Sequence, residues 1–136
     1  MGADLKKASF ESEKATSILK SVQVTMEMVK TIDHAKFPSN VIIQYYDVIR
    51  QLMTAISTID RFKPHGEGAH RQLVDYIKSK CPEVTQEEIE FIDRLRILRN
   101  DIEYDGFFID KDYLGRKLVL IKNIIDKLER IVTARL

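Results

Sequence analysis

From Ile42 to Ile59 apolar residues return every three or four positions: Ile42, Tyr45, Tyr46, Ile49, Leu52, Met53, Ile56 and Ile59. A strand would need strict alternation, whereas a helix of about 3.6 residues per turn keeps this spacing on one side. The same rhythm governs most of the chain. Ala8, Ala15, Ile18, Leu19, Val22, Met26 and Val29 follow it between Ala3 and about Thr31. Leu73, Tyr76 and Ile77 follow it in a short segment from Ala69 to Ser79, and Ile89, Ile92, Leu95, Leu98 and Ile102 in a later one. Leu114, Leu118, Ile121, Ile124, Ile125, Leu128 and Ile131 complete the set. Only five Gly and three Pro among 136 residues leave little material for turns. The expected fold is all-α: an antiparallel up-and-down four-helix bundle with one additional short helix, in a single domain over residues 1–136.

Local signals bound these helices. Pro38 pushes Phe37 out of helical space, and Ser39 or Asn40 can cap the helix that follows. FKPHGEG is a loop by composition, and CPEV ends the short helix. Thr85 with Glu88 three residues on is a capping-box pattern. Gly106 suits a left-handed stop, and Asp110 suits the cap of the last helix.

Composition narrows the setting. The 22 basic and 21 acidic residues nearly cancel, which argues against a general nucleic-acid coat but leaves room for a local site. Cys81 is the lone cysteine, so no intrachain disulfide forms, and a reducing cytoplasm is the expected compartment. MGADLKKASFESEKATS lacks the apolar core of a secretory signal, and no run approaches the roughly eighteen apolar residues of a membrane span. No metal or other cofactor is expected.

LRNDIEYDGFF, residues 98–108, carries the main anomaly. Arg99 comes four after Leu95 and three before Ile102, so it falls within the apolar face of its own helix. Arg96 sits at the edge of that face and Asn100 further round. A guanidinium there needs a carboxylate, a cleft or an interface. Glu103, one turn on, offers an ordinary ion pair. The functional alternative is a cleft that receives an anion, where a planar, permanently charged fork suits phosphate.

Arg99 followed by Asn100, near the end of the penultimate long helix of an all-helical chain, resembles the HEPN (higher eukaryotes and prokaryotes nucleotide-binding) superfamily. The likeness in organisation covers about Leu5 to Ile131. The signature of that family is Arg, four to six residues, then His, often with Asn directly after the Arg. Members form helical bundles, frequently dimerise so that two motifs meet, and include metal-independent ribonucleases and toxins. Others bind nucleotides or act as partners of small nucleotidyltransferases. The resemblance therefore implies a prokaryotic homodimer in a toxin–antitoxin, defence or nucleotidyltransferase-partner system. It also implies nucleotide or RNA binding through Arg99, Asn100, Tyr104 and Arg96.

The pattern departs where proton transfer would need it. Tyr104 stands five residues after Arg99, and no His follows His70. A phenol with an ordinary pKa of about 10 donates a hydrogen bond but is a poor base at neutral pH. The tyrosine that partner nucleotidyltransferases modify in one toxin subgroup would fall at Gly106, so that target does not carry over. Binding without turnover is the leading expectation. A metal-independent ribonuclease using Arg99 with Tyr104 is the alternative, and a purely structural bundle that meets a partner protein is the third.

Other residues receive plainer expectations. His65, Glu67 and His70 have metal-ligand chemistry, but Gly66 and Gly68 make the segment a loop and no fourth ligand completes a site. The helix start at His70 can meet an anion through free N–H groups. His34 is expected to face solvent, and Phe107 and Phe108 to plug the core. Tyr45 and Tyr46 are not expected to face the core together. Glu90, Asp93, Asp101, Asp105, Asp110 and Asp112 read as a solvated face and helix caps. Arg116, Lys117, Lys122, Lys127, Arg130 and Arg135 read as a solvated face of the last helix.

Overall fold

A computed structural model describes residues 2–136, with side chains from Phe10 onward. Five helices follow in order: α1 (Gly2–Lys30), α2 (Pro38–Ile59), α3 (Ala69–Lys80), α4 (Gln86–Asp105) and α5 (Lys111–Arg135). The described residues contain no strand, and the all-α class is as the apolar rhythm predicts. The expected core position Ala8 lies outside the described side chains, while Ala15, Val22 and Val29 of α1 are buried.

α2 is the hub, packing against each of the other four helices. That position explains a correction. Tyr45 and Tyr46 are both buried, because neighbours 100° apart on a helix covered from several sides each find a wall. Burial leaves both phenols with pKa values above the ordinary one. His34 is also corrected: it is half-buried, with Nδ1 2.8 Å from the Ile32 carbonyl and Nε2 3.5 Å from the Tyr45 hydroxyl.

Neither Ser39 nor Asn40 caps α2. Phe37 holds the N-cap position at φ −125°, ψ 50° with no side-chain bond, and Pro38 begins the helix. Proline suits this first helical position, because the N–H it lacks would have no partner within the helix. Ser39 is buried instead, and its hydroxyl accepts the Ile109 N–H at 3.0 Å. This bond ties the α4–α5 loop to α2. Ile109 is thus the residue that enters the core, while Phe107 and Phe108 stay outside, Phe108 at 83% exposure. Gly106, at φ 68°, turns the chain through the left-handed region, and two residues then pass before it reaches the core again. At the far end of α2, Arg61 rather than a glycine takes the left-handed position, at φ 60°.

The capping box is present in both directions. Thr85 Oγ1 accepts the Glu88 N–H at 3.1 Å, and Glu88 Oε1 accepts the Thr85 N–H at 2.9 Å. Glu88 also holds Lys127 of α5 at 2.7 Å, joining two helices. Burial pushes the Glu88 carboxyl up, but the bonds from Lys127 and from Thr85 outweigh it and the pKa lies below the ordinary value. A depressed folded-state pKa contributes stability that is present above the unfolded value and lost as pH falls through the folded one. Glu88→Gln should therefore cost about 1–2 kcal/mol at neutral pH, with the deficit shrinking below about pH 4. Urea unfolding across a pH series measures both.

α5 is tied down at its far end as well. Arg135 bonds Asp60 and the Lys80 carbonyl and approaches Cys81 Sγ at 3.6 Å, so it is not the solvated residue expected. Asp60 also accepts the Tyr76 hydroxyl at 2.7 Å. Burial, together with that bond and the charge of Asp60, pushes the Tyr76 pKa up to about 12.

Candidate functional site

α4 presents the anomalous arginine as its spacing requires. Leu95 is buried on the core face, Leu98 and Ile102 pack partly against the core, and Arg99 emerges between them with its side chain 23% exposed. Arg99 Nη2 holds Glu103 Oε2 at 3.2 Å, the ordinary pairing allowed by the one-turn spacing. Its Nη1 donates weakly to Asn100 Oδ1 at 3.4 Å. Arg99 and Asn100 are therefore brought together. Tyr104 is not: it stands 74% exposed in the last turn of α4, five residues and so about 140° round the helix from Arg99.

Arg96, one turn before Arg99, bonds Asp93 Oδ1 at 2.9 Å. The other oxygen of Asp93 takes Arg71 Nη1 at 3.3 Å. Asp93 is thus a bridge between α4 and the first turn of α3, not a member of a solvated face. Arg50 of α2 holds Asp47 at 2.6 Å, and Asp47 also accepts a bond from Gln51 at 2.9 Å. The helices that carry these pairs pack on one another.

Arg50 of α2 and Arg96 and Arg99 of α4 thus stand on helices that pack on one another, each paired with a carboxylate of its own helix. Two further groups lie within their electrostatic reach. One is the Tyr46 hydroxyl, whose pKa burial raises and the three arginines pull back down. The other is His70, whose pKa is lowered first by burial and then by Arg50, Arg99 and Arg96, against an opposing pull from Asp47.

Sequence reasoning reached Arg99, Asn100 and Arg96 and missed Arg50, Tyr46 and the placement of His70. Arg50 carried one signal, lying four after Tyr46 on the same face. His70 is 29 positions before Arg99 in the chain, and no spacing rule connects them.

A cleft of about 280 Å³ between α3 and α4 is walled by the bridging Arg71 and Asp93 together with Lys78 and Arg94, and two others lie elsewhere. One of about 450 Å³ sits between the α1–α2 turn and the α4–α5 loop, with Lys36, Ser39 and Phe108 among its walls. Another, of about 350 Å³, is walled by Leu98, Phe107, Phe108, Tyr113 and Arg116. Neither includes the arginines. Charged side chains of this kind suit a phosphate better than an apolar ligand. Among the described residues no three His, Cys, Asp or Glu side chains come together as metal ligands, and no helix is long and apolar enough to cross a membrane.

Comparison of the chain with protein-family models, with curated proteins and with solved structures returned no match.

Proposed function

We propose that this chain is a HEPN-like domain that binds the phosphate of a nucleotide or RNA through Arg99, Asn100 and Arg96, without efficient turnover. In this reading the four long helices form an up-and-down bundle, and two copies pair so that their Arg99 residues share a groove. The setting implied by the resemblance is a toxin–antitoxin, defence or nucleotidyltransferase-partner system. The observation that carries the reading is Arg99 itself: its side chain is 23% exposed within the apolar face of α4, beside Asn100, and an ion pair to Glu103 holds it there. The pair with Glu103 is no obstacle. An i,i+4 pair of this kind is worth only about 0.3–0.5 kcal/mol, and Arg before Glu is the weaker order.

Turnover is not proposed because Tyr104 stands apart from Arg99 and exposed. Fluorescence anisotropy with single-stranded and hairpin RNA in EDTA is the test. The expected result is salt-sensitive binding with the RNA left intact. Cleavage that disappears in both Arg99→Ala and Tyr104→Phe would replace this reading with the ribonuclease one. Absence of binding to RNA and to nucleotides alike would end it.

A second reading has its own observation. Tyr104, Phe107, Phe108 and Ile97 are exposed around the end of α4. With Arg99 satisfied by Glu103, such a surface suits a partner protein and leaves the arginine a structural role.

A further inference from the structure

The loop between α4 and α5 holds an exposed aromatic ring between two clefts. Phe108, at 83% exposure, walls both the cleft of about 450 Å³ and the one of about 350 Å³. Phe37 lines the first and Phe107 the second, so three of the six phenylalanines gather on this one surface. A single exposed apolar residue is ordinary, whereas a group of exposed rings bordering clefts marks a binding surface.

Hydrogen bonds fix the walls on both sides of the ring. The Ser39 hydroxyl holds the Ile109 N–H at 3.0 Å, next to Phe108 in the chain. Across the first cleft, Asp33 Oδ1 accepts the Ala35 and Lys36 N–H groups at 3.0 and 3.1 Å, which sets the turn that carries Lys36. Cations border the rings: Lys36 and Lys111 line the first cleft and Arg116 the second. All three are exposed, and none is in an ion pair among the described residues. Asp110 is the one carboxylate lining either cleft, and its Oδ1 is engaged by the Tyr113 N–H at 2.8 Å. A flat apolar face with unpaired cations on either side complements a ligand that alternates flat rings with anions.

We propose that the two clefts form one track for single-stranded RNA, in which bases stack on Phe108 and phosphates meet Lys36, Lys111 and Arg116. The inference deepens the reading above and rests on it for the ligand class, but its residues lie outside the Arg99–Asn100 pair. Stacking on a ring is tolerant of sequence, because every base has a π-face. Duplex RNA keeps its bases paired inside the helix and cannot cover the ring, so the track selects single strands.

Fluorescence anisotropy on the full chain tests this with a single-stranded RNA of about 12 nucleotides and with the same RNA as a duplex. Phe108→Ala and Phe108→Leu should each weaken single-strand binding about tenfold, while Phe108→Tyr stays within about twofold of wild type. Leucine keeps apolar bulk without a flat face, so it separates stacking from apolar contact. Duplex affinity should not change in any of the three. Lys36→Gln, Lys111→Gln and Arg116→Gln combined should flatten the slope of log affinity against log salt by about 2, since each single-strand phosphate contact contributes about 0.7. Wild-type affinity in Phe108→Ala or Phe108→Leu, or an unchanged slope in the triple variant, overturns the track and leaves the rings to a partner protein. If Arg99→Ala still abolishes RNA binding in that case, the broader reading survives alone. Absence of RNA binding by the wild type removes the track, and absence of nucleotide binding as well removes both.

Discussion

Phe91→Ala should destabilise the chain by about 3–5 kcal/mol, the largest loss expected from a single truncation here. Phe91 is 1% exposed and sits in the α4 stripe with Leu95, joining that helix to the core. Its ring also lies below two cations, with Arg94 and the α5 residue Lys117 each 5.8 Å from its centroid. Truncation removes the apolar contact and leaves a cavity that two helices held at several other points cannot close. Glu88–Lys127 and the Ser39–Ile109 bond keep α4, α5 and α2 in register while the hole remains. For a chain of this length the loss corresponds to a fall of about 10–15 °C in Tm. Differential scanning calorimetry measures it, and a fall under about 3 °C would mean that α4 does not depend on this ring.

Phe91 also shows which parts of the fold could be read in advance. The helix spans follow from rhythm maintained over many residues, and the Thr85 capping box, the Gly106 stop and the Asp110 cap are each complete within a few positions. Such signals survive folding because their partners are local. Phe91 stands beside Ile92 and was not needed to draw the stripe, so its burial follows only from the breadth of the face that α4 buries. Tyr46 is the same case on α2, where cover from several sides lets adjacent residues both go inward. Phe107 and Phe108 fail in the other direction: apolar identity favoured the core, but the bond between Ile109 and Ser39 selects a different residue to enter. The candidate site divides along the same line. Arg99, Asn100 and Arg96 share one helix and appear together in the text of the chain. Arg50, Asp47, Tyr46 and His70 relate to them only through the packing of α2 and α3 on α4, across 26 or more positions.

Arg99→Ala should weaken nucleotide or RNA binding by about 100-fold or more while leaving the fold almost unaltered. Removing the side chain takes away two or more charge-assisted hydrogen bonds to phosphate, each worth about 1.5–3 kcal/mol. The fold loses only an i,i+4 pair worth about 0.3–0.5 kcal/mol and some packing of the arginine stem. Binding and stability therefore separate at this residue, which a purely structural arginine would not allow. Arg99→Lys sharpens the test, because lysine keeps the charge but not the planar fork, and about a tenfold loss is expected. Glu103→Gln supplies the opposite sign. Glu103 competes with the phosphate for the same guanidinium, so neutralising it should tighten binding a few-fold. If Arg99 exists only to hold Glu103, the glutamine variant changes no affinity at all, and calorimetry on these three variants decides between the two roles.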